Sequence, residues 1–205
     1  SLDGPETVHN HNRVYHNGLG TYYDVMKGIE KLREKEIDVI PAAVITPDYP
    51  DLNVIVEHFM KLGFKEISFN LARGKNEITS FSIEAITKLI DSIKDIYQEI
   101  FLDFKENKTS AKLLILKNTI LFSYIQNIYY KRYVTCRCKW GRSLVIDSKG
   151  NIYHCDSTIG IKADCLGNYH DRKRKEDIFM QPNVNENSVC KYGYSKYLCG
   201  GTCYA

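Results

Sequence analysis

The stretch IDVIPAAVITPDYPDLNVIVEHFMKLGFKEISFNLA, residues 37–72, decides the fold. Ile37 to Thr46 is an apolar, β-branched run closed by Pro47. Its continuous apolar character predicts a parallel strand covered on both faces. From Asp51 onward Leu52, Ile55, Phe59 and Leu62 fall on one side of a helix, and Gly63 is a natural terminator. Glu66 to Ala72 then predicts a second strand. Just upstream, Thr21 and Asp24 make an approximate capping box, and Val25, Met26, Ile29 and Leu32 recur at helical spacing, which predicts a helix over 21–35. Helix, strand, helix, strand with right-handed crossovers means part of a parallel sheet or barrel, so the front of the chain is α/β.

Downstream, Ile86, Leu89, Ile90, Ile93, Ile96, Tyr97 and Ile100 mark a long amphipathic helix over 82–104, and 111–130 predicts another. These helices read as a bridge. Beyond Tyr133 the pattern shortens to strands and turns. The clearest is a hairpin in which Leu144 to Ile146 and Ile152–Tyr153 flank Asp147 to Asn151, with Gly150 where a positive φ is needed. That hairpin delivers Cys155. Three regions follow: 1–78, 79–133 and 134–205.

The whole sequence has 205 residues, 43% hydrophobic and 26% charged, which suits one or two packed domains. Its formal net charge of +3 is too small to point to a nucleic-acid partner. No apolar run reaches the roughly 20 residues of a spanning helix, and the first residues do not have the organisation of a secretory signal. A cytoplasmic protein with no membrane partner is expected. Ser1 to Pro5 read as a strand end entering a turn, with no Met before them, so the natural chain is expected to begin earlier.

All seven cysteines, at 136, 138, 155, 165, 190, 199 and 203, lie in the last 70 residues. An odd count without a secretory signal argues against a disulfide framework and for metal ligation. Iron–sulfur clusters take about four thiolates from loops and hairpin ends. Gly200–Gly201 between Cys199 and Cys203 would let the backbone turn tightly round such a centre. Four-thiolate zinc is the rival, although zinc sites favour paired C-x2-C knuckles and none occurs here. Cys165 has no partner at ligand spacing and reads as structural.

Together these residues resemble the radical SAM enzymes with a SPASM domain, the group of anaerobic sulfatase maturases and many peptide maturases. Ser1 to Pro5, His9 to Arg13 and Gly18 to Thr21 look like the segment after the fourth barrel strand. The tail resembles the SPASM pattern: Cys138 and Gly150 are separated by eleven residues, and Gly150 and Cys155 by four. Cys190, Cys199 and Cys203 then follow at the later spacing, with Gly193 where another cysteine is expected. The final cysteine of the pattern would lie beyond Ala205.

The resemblance implies the second half of a partial (β/α)6 barrel, a helical bridge and a small cysteine-rich domain with a β-hairpin. It implies a first auxiliary 4Fe–4S cluster on Cys136 or Cys138 or both, with Cys155 and Cys203. A second would be left with Cys190 and Cys199 alone. It implies that the parent enzyme uses S-adenosylmethionine (AdoMet) to form a 5′-deoxyadenosyl radical and modify a peptide or protein, drawing electrons from a flavodoxin or ferredoxin. The C-x3-C-x2-C motif for the cluster that cleaves AdoMet is absent from these residues, so this stretch alone is expected to be inactive, its missing N-terminal half carrying that motif.

Asp156, directly after Cys155, stands where sulfatase maturases place a proton-accepting carboxylate; the alternative is an Asp capping a turn. Ser1 stands where the group contacts AdoMet, or is a turn residue. Arg13 either binds a carboxylate with its forked donors or pairs with a neighbouring acid. His9 and His11 read as solvated loop residues, with no metal assigned, and Asn70 alternates in the second strand toward the cofactor side. Within the group, Asp156 favours a sulfatase maturase and Gly193 a divergent peptide maturase, the reading preferred. A non-catalytic zinc-binding scaffold is the competing class.

Overall fold

In a computed structural model of the chain, residues 1–72, 80–130, 144–171, 190–194 and 196 are described. They fall in two compact units, Ser1–Ser123 and Tyr124–Ala205.

The first unit is built on helices α1 (Glu6–Asn12) and α2 (Tyr22–Arg33), strand β1 (Ala42–Ile45), helix α3 (Leu52–Lys61), strand β2 (Ser68–Leu71), and helices α4 (Ile83–Lys105) and α5 (Ala111–Leu116). Strands β1 and β2 are parallel, in register from Ala42 opposite Ser68 to Ile45 opposite Leu71, with α3 as the crossover. The strand expected over 37–46 is confined to 42–45 because prolines punctuate it on both sides. Pro41 has no N–H and contributes only its carbonyl, to the Ser68 N–H at 2.9 Å. The entering segment lies along the other side of β1, where the Leu2 N–H donates to the Ala42 carbonyl at 3.1 Å.

Helix α3 begins where Asp51 accepts the N–H groups of Asn53 and Val54 at 3.0 and 3.2 Å. It ends at Gly63, whose φ of +74° suits glycine. Its inner face, Leu52, Ile55, Val56 and Phe59, is buried with Ala43 and Ile45 of β1 and Phe69 of β2. Leu89 and Ile96 of α4, with Ile115 and Leu116 of α5, join the same core, so this part of the expected bridge packs into the first unit. The helix expected over 111–130 is broken into α5 and α6 (Ile120–Tyr129). At the break the Thr119 hydroxyl donates to the Leu116 carbonyl at 2.7 Å.

Buried Lys112 ties three helices together. Its ammonium donates to Asn53 Oδ1 of α3 at 2.7 Å and to Glu99 of α4 at 2.6 Å, with Glu57 at 3.8 Å. Ser92 of α4 accepts the Leu52 N–H at 3.1 Å and so fixes the start of α3.

The second unit contains an antiparallel sheet of β3 (Val145–Ile146), β4 (Asn151–Tyr153) and β5 (Gly167–Asn168), in that order. The β3–β4 hairpin is at the expected place. Its turn is bonded from within: Asp147 Oδ1 accepts the N–H groups of Lys149 and Asn151 at 2.8 and 2.9 Å, and Oδ2 accepts the Asn151 side-chain amide at 2.9 Å. The bond from the Asn151 amide is the main reason the Asp147 carboxyl sits below its ordinary pKa. Gly150 takes φ +81°. The strand β5, not anticipated, follows fully buried Leu166.

Candidate functional site

In open α/β sheets ligands bind beyond the carboxyl ends of the strands. At that end of β1 and β2 lies a pocket of about 350 Å3 lined by Asp3, Arg13, Asn12, His11, Thr46 and Asp48, among others. A larger hollow, about 500 Å3, lies at the opposite end beside Ile37–Ile40 and Gly63–Glu66, and holds none of the residues predicted for a site.

The first pocket is organised by Asp3, which is 1% exposed. Arg13 Nε and Nη2 donate to its two carboxylate oxygens at 2.8 and 3.1 Å, and the Val44 N–H donates to Oδ1 at 3.0 Å. Of the two roles weighed for Arg13, pairing with a neighbouring acid is thus present, while Nη1 is left outside that fork. Helix α1 contributes His11 and Asn12 to the wall, and β1 with the loop after it contributes Val44, Thr46 and Asp48. His11 Nε2 is 2.9 Å from Asp48 Oδ2, and its ring packs edge-on against Tyr49. Asn12 Oδ1 accepts the Thr46 hydroxyl at 3.4 Å, whereas its Nδ2 is buried without a hydrogen-bond partner among the described residues.

His9 corrects the sequence reading. It is fully buried on a helix and not solvated in a loop. Its Nδ1 accepts the Asp3 N–H at 3.2 Å, so the neutral ring carries its hydrogen on Nε2, which lies 2.9 Å from Thr21 Oγ1. The Thr21 hydroxyl in turn donates to the Arg13 carbonyl at 3.2 Å. Burial is the main cause holding the His9 pKa below its ordinary value, opposed by the nearby Asp3. Thr21 therefore makes no side-chain cap bond to α2, and the expected capping box does not form. Asn10 takes over, its Oδ1 accepting the Tyr22 N–H at 3.0 Å. The signal that was missed is Pro5–Glu6, a helix-start pair, ahead of a segment whose one apolar residue is Val8.

Ser1 is exposed and lies outside this pocket's lining. Asn70 is exposed in β2 opposite Val44, and the pocket is lined from this strand's end by Ala72 instead.

In the second unit Cys155 follows β4 immediately before a 3-10 turn, Asp156–Thr158, and its thiol is 3.2 Å from Asp156 Oδ1. Its carbonyl accepts the Thr158 N–H and hydroxyl at 3.2 and 2.9 Å. Cys155 is partly exposed and Asp156 exposed. The thiol of Cys165 donates to the Gly167 carbonyl at 3.4 Å beside buried Leu166. The expected ligands Cys136, Cys138, Cys199 and Cys203 lie outside the described residues. Cys190 opens a 3-10 turn, Cys190–Tyr192, and its side chain also lies outside them. Among the described residues no three His, Cys, Asp or Glu side chains come together as a metal site, and no helix is long and apolar enough to cross a membrane.

No protein-family profile matches the chain. Over 218 residues it is 27% identical to the cysteine-type anaerobic sulfatase-maturating enzyme of Clostridium perfringens strain 13, an alignment covering 99% of this chain and 56% of the relative. The chain is homologous to an anaerobic sulfatase-maturating enzyme. This agrees with the radical SAM/SPASM resemblance of the sequence. The chain spans about half the length of such curated relatives. An uncharacterized protein of Methanocaldococcus jannaschii is 27% identical over 175 residues, 85% of this chain and 53% of the relative. The solved structure of native anSMEcpe with bound AdoMet superposes with a TM-score of 0.73 at 22% identity, over 98% of this chain and 57% of that one. The structure with bound AdoMet and Cp18Cys peptide gives 0.71 at 22%, over 98% and 58%. The fold is that of these sulfatase-maturating neighbours, with helices around small sheets.

Proposed function

We propose that the chain is part of a radical SAM/SPASM maturase that modifies a cysteine-bearing peptide or protein. The observation that carries this reading is the alignment to a cysteine-type sulfatase-maturating enzyme along 99% of the chain. The neighbour solved with AdoMet and Cp18Cys peptide supports a peptide substrate. Activity would require a segment carrying the C-x3-C-x2-C motif, and a flavodoxin or ferredoxin would supply electrons.

The pocket beside Arg13 is the proposed AdoMet site. It fits a polar ligand: Arg13 has donors outside its fork with Asp3, and Asn12 Nδ2 is a buried donor that needs an acceptor. In the tail, Cys155 with Cys203 and Cys136 or Cys138 or both would hold an auxiliary 4Fe–4S cluster. The fit rests on a partly exposed thiol, presented at the end of an internally bonded hairpin. Cys190 and Cys199 would be the protein ligands of a second cluster. When bound, these groups supply the hydrogen-abstracting radical and a route for electrons. Asp156 would act as the base, taking a proton from the substrate at a carboxylate oxygen beside Cys155.

The test is iron, sulfide and zinc content with the visible spectrum after anaerobic reconstitution. About four irons per chain with thiolate-to-iron absorption support the first cluster and the maturase reading, and about eight would add the second cluster. Zinc without iron sinks the reading and favours the scaffold class. Asp156→Asn in the full-length enzyme should abolish turnover while leaving iron content unchanged, and undiminished turnover removes the base role.

A further inference from the structure

We propose that His9 is a positioning residue for Arg13, fixing it through both its side chain and its backbone. The imidazole stands between two routes to the same residue. On one side Nδ1 accepts the N–H of Asp3, whose carboxylate takes both guanidinium bonds of Arg13 at 2.8 and 3.1 Å. On the other, Nε2–H donates to Thr21 Oγ1 at 2.9 Å, and that hydroxyl donates to the Arg13 carbonyl at 3.2 Å. The Arg13 N–H also donates to the His9 carbonyl at 2.8 Å, closing the last turn of α1.

Two features separate this arrangement from ordinary packing. The relay diverts Thr21 from the helix-cap role that its place in the sequence suits, and Asn10 caps α2 in its stead. It also requires one tautomer. The Asp3 N–H can only donate, so a hydrogen on Nδ1 would oppose it, and the ring must be neutral with its hydrogen on Nε2. The ring is fully buried, with Tyr22 edge-on at 5.9 Å. An alkyl group could fill the same space but would supply neither bond.

The ligand-binding part of the test rests on the reading of the pocket as the AdoMet site; the spectroscopic part does not. Nitrogen chemical shifts of the His9 ring in the full chain report the tautomer, and the Arg13 Nε–H signal reports the fork with Asp3. We expect the neutral Nε2–H tautomer and a slowly exchanging Arg13 Nε–H. In His9→Ala that signal should collapse to the water-exchanging position, and AdoMet itself should bind about tenfold more weakly, the worth of one lost hydrogen bond. His9→Gln, which keeps a donor near Nε2, should recover binding to within about threefold.

A wild-type ring with its hydrogen on Nδ1, or protonated at neutral pH, overturns the proposal even if His9→Ala fails to fold. So does a folded His9→Ala chain with an unchanged Arg13 signal. If the wild-type full-length enzyme ignores AdoMet, the reading of the pocket falls, and the tautomer and the Arg13 signal still decide the role of His9.

Discussion

Asn10 and Gly20 interlock: the Asn10 amide occupies the space where a Cβ on residue 20 would stand, while its Oδ1 holds the Tyr22 N–H at 3.0 Å. One side chain therefore links α1 to the start of α2. Gly20→Ala should destabilise the chain by about 1–3 kcal/mol through overpacking, and Asn10→Ala by about 1 kcal/mol through loss of the cap. Because each change disturbs the same contact, the double variant should cost less than the sum. Urea unfolding of the three variants measures this, and strict additivity would refute the interlock.

Stability should fall as pH drops below about 6.5, the ordinary histidine value. Burial is the largest cause lowering the pKa of both His9 and His58 in the folded chain. Above the unfolded value both states are neutral and stability is full. As pH falls through that value the unfolded chain takes up protons first, and the loss continues until the folded pKa is passed. His9→Gln and His58→Gln should each flatten the curve of unfolding free energy between pH 7 and 5. An unaltered slope in both would mean that other groups set it.

Lys112 is buried, bonded to Asn53 and Glu99 and ion-paired with Glu57, and its two carboxylate partners are about half exposed. Its aliphatic stem carries much of the packing. Lys112→Ala should cost about 2 kcal/mol, largely from the cavity, whereas Lys112→Met should cost less than about 1 kcal/mol because the freed carboxylates can rehydrate. Thermal unfolding separates the two. Equal losses would place the energy in the ammonium bonds instead.

Elements whose burial is periodic in the sequence were legible in it. Helices α2 and α3 stand within a few residues of their expected limits, since Ile29 and then Leu52, Ile55 and Phe59 turn inward at regular spacing. Strand β1 was legible in type but not in length, because Pro41 ends its pairing. Helix α1 was missed: between Glu6 and Asn12 Val8 is the one apolar residue, and the helix is held by long-range bonds that no local pattern encodes. The same holds for the pairing of Asp3 with Arg13, ten residues apart, and for the diversion of Thr21 from its cap. In the tail, spacing located the hairpin that leads to Cys155, while the other expected ligands Cys136, Cys138, Cys199 and Cys203 lie outside the described residues.

The Asp147 turn has a consequence for the proposed role of Cys155 as a cluster ligand. Three bonds from one carboxylate set the shape of the turn without help from any ligand. The strand leaving it is therefore held at its start, and Cys155, two residues beyond that strand, would have less backbone freedom to surrender if it ligates the proposed cluster. Flexible loops lose affinity in that ordering, and a donor mounted on a rigid stalk keeps it.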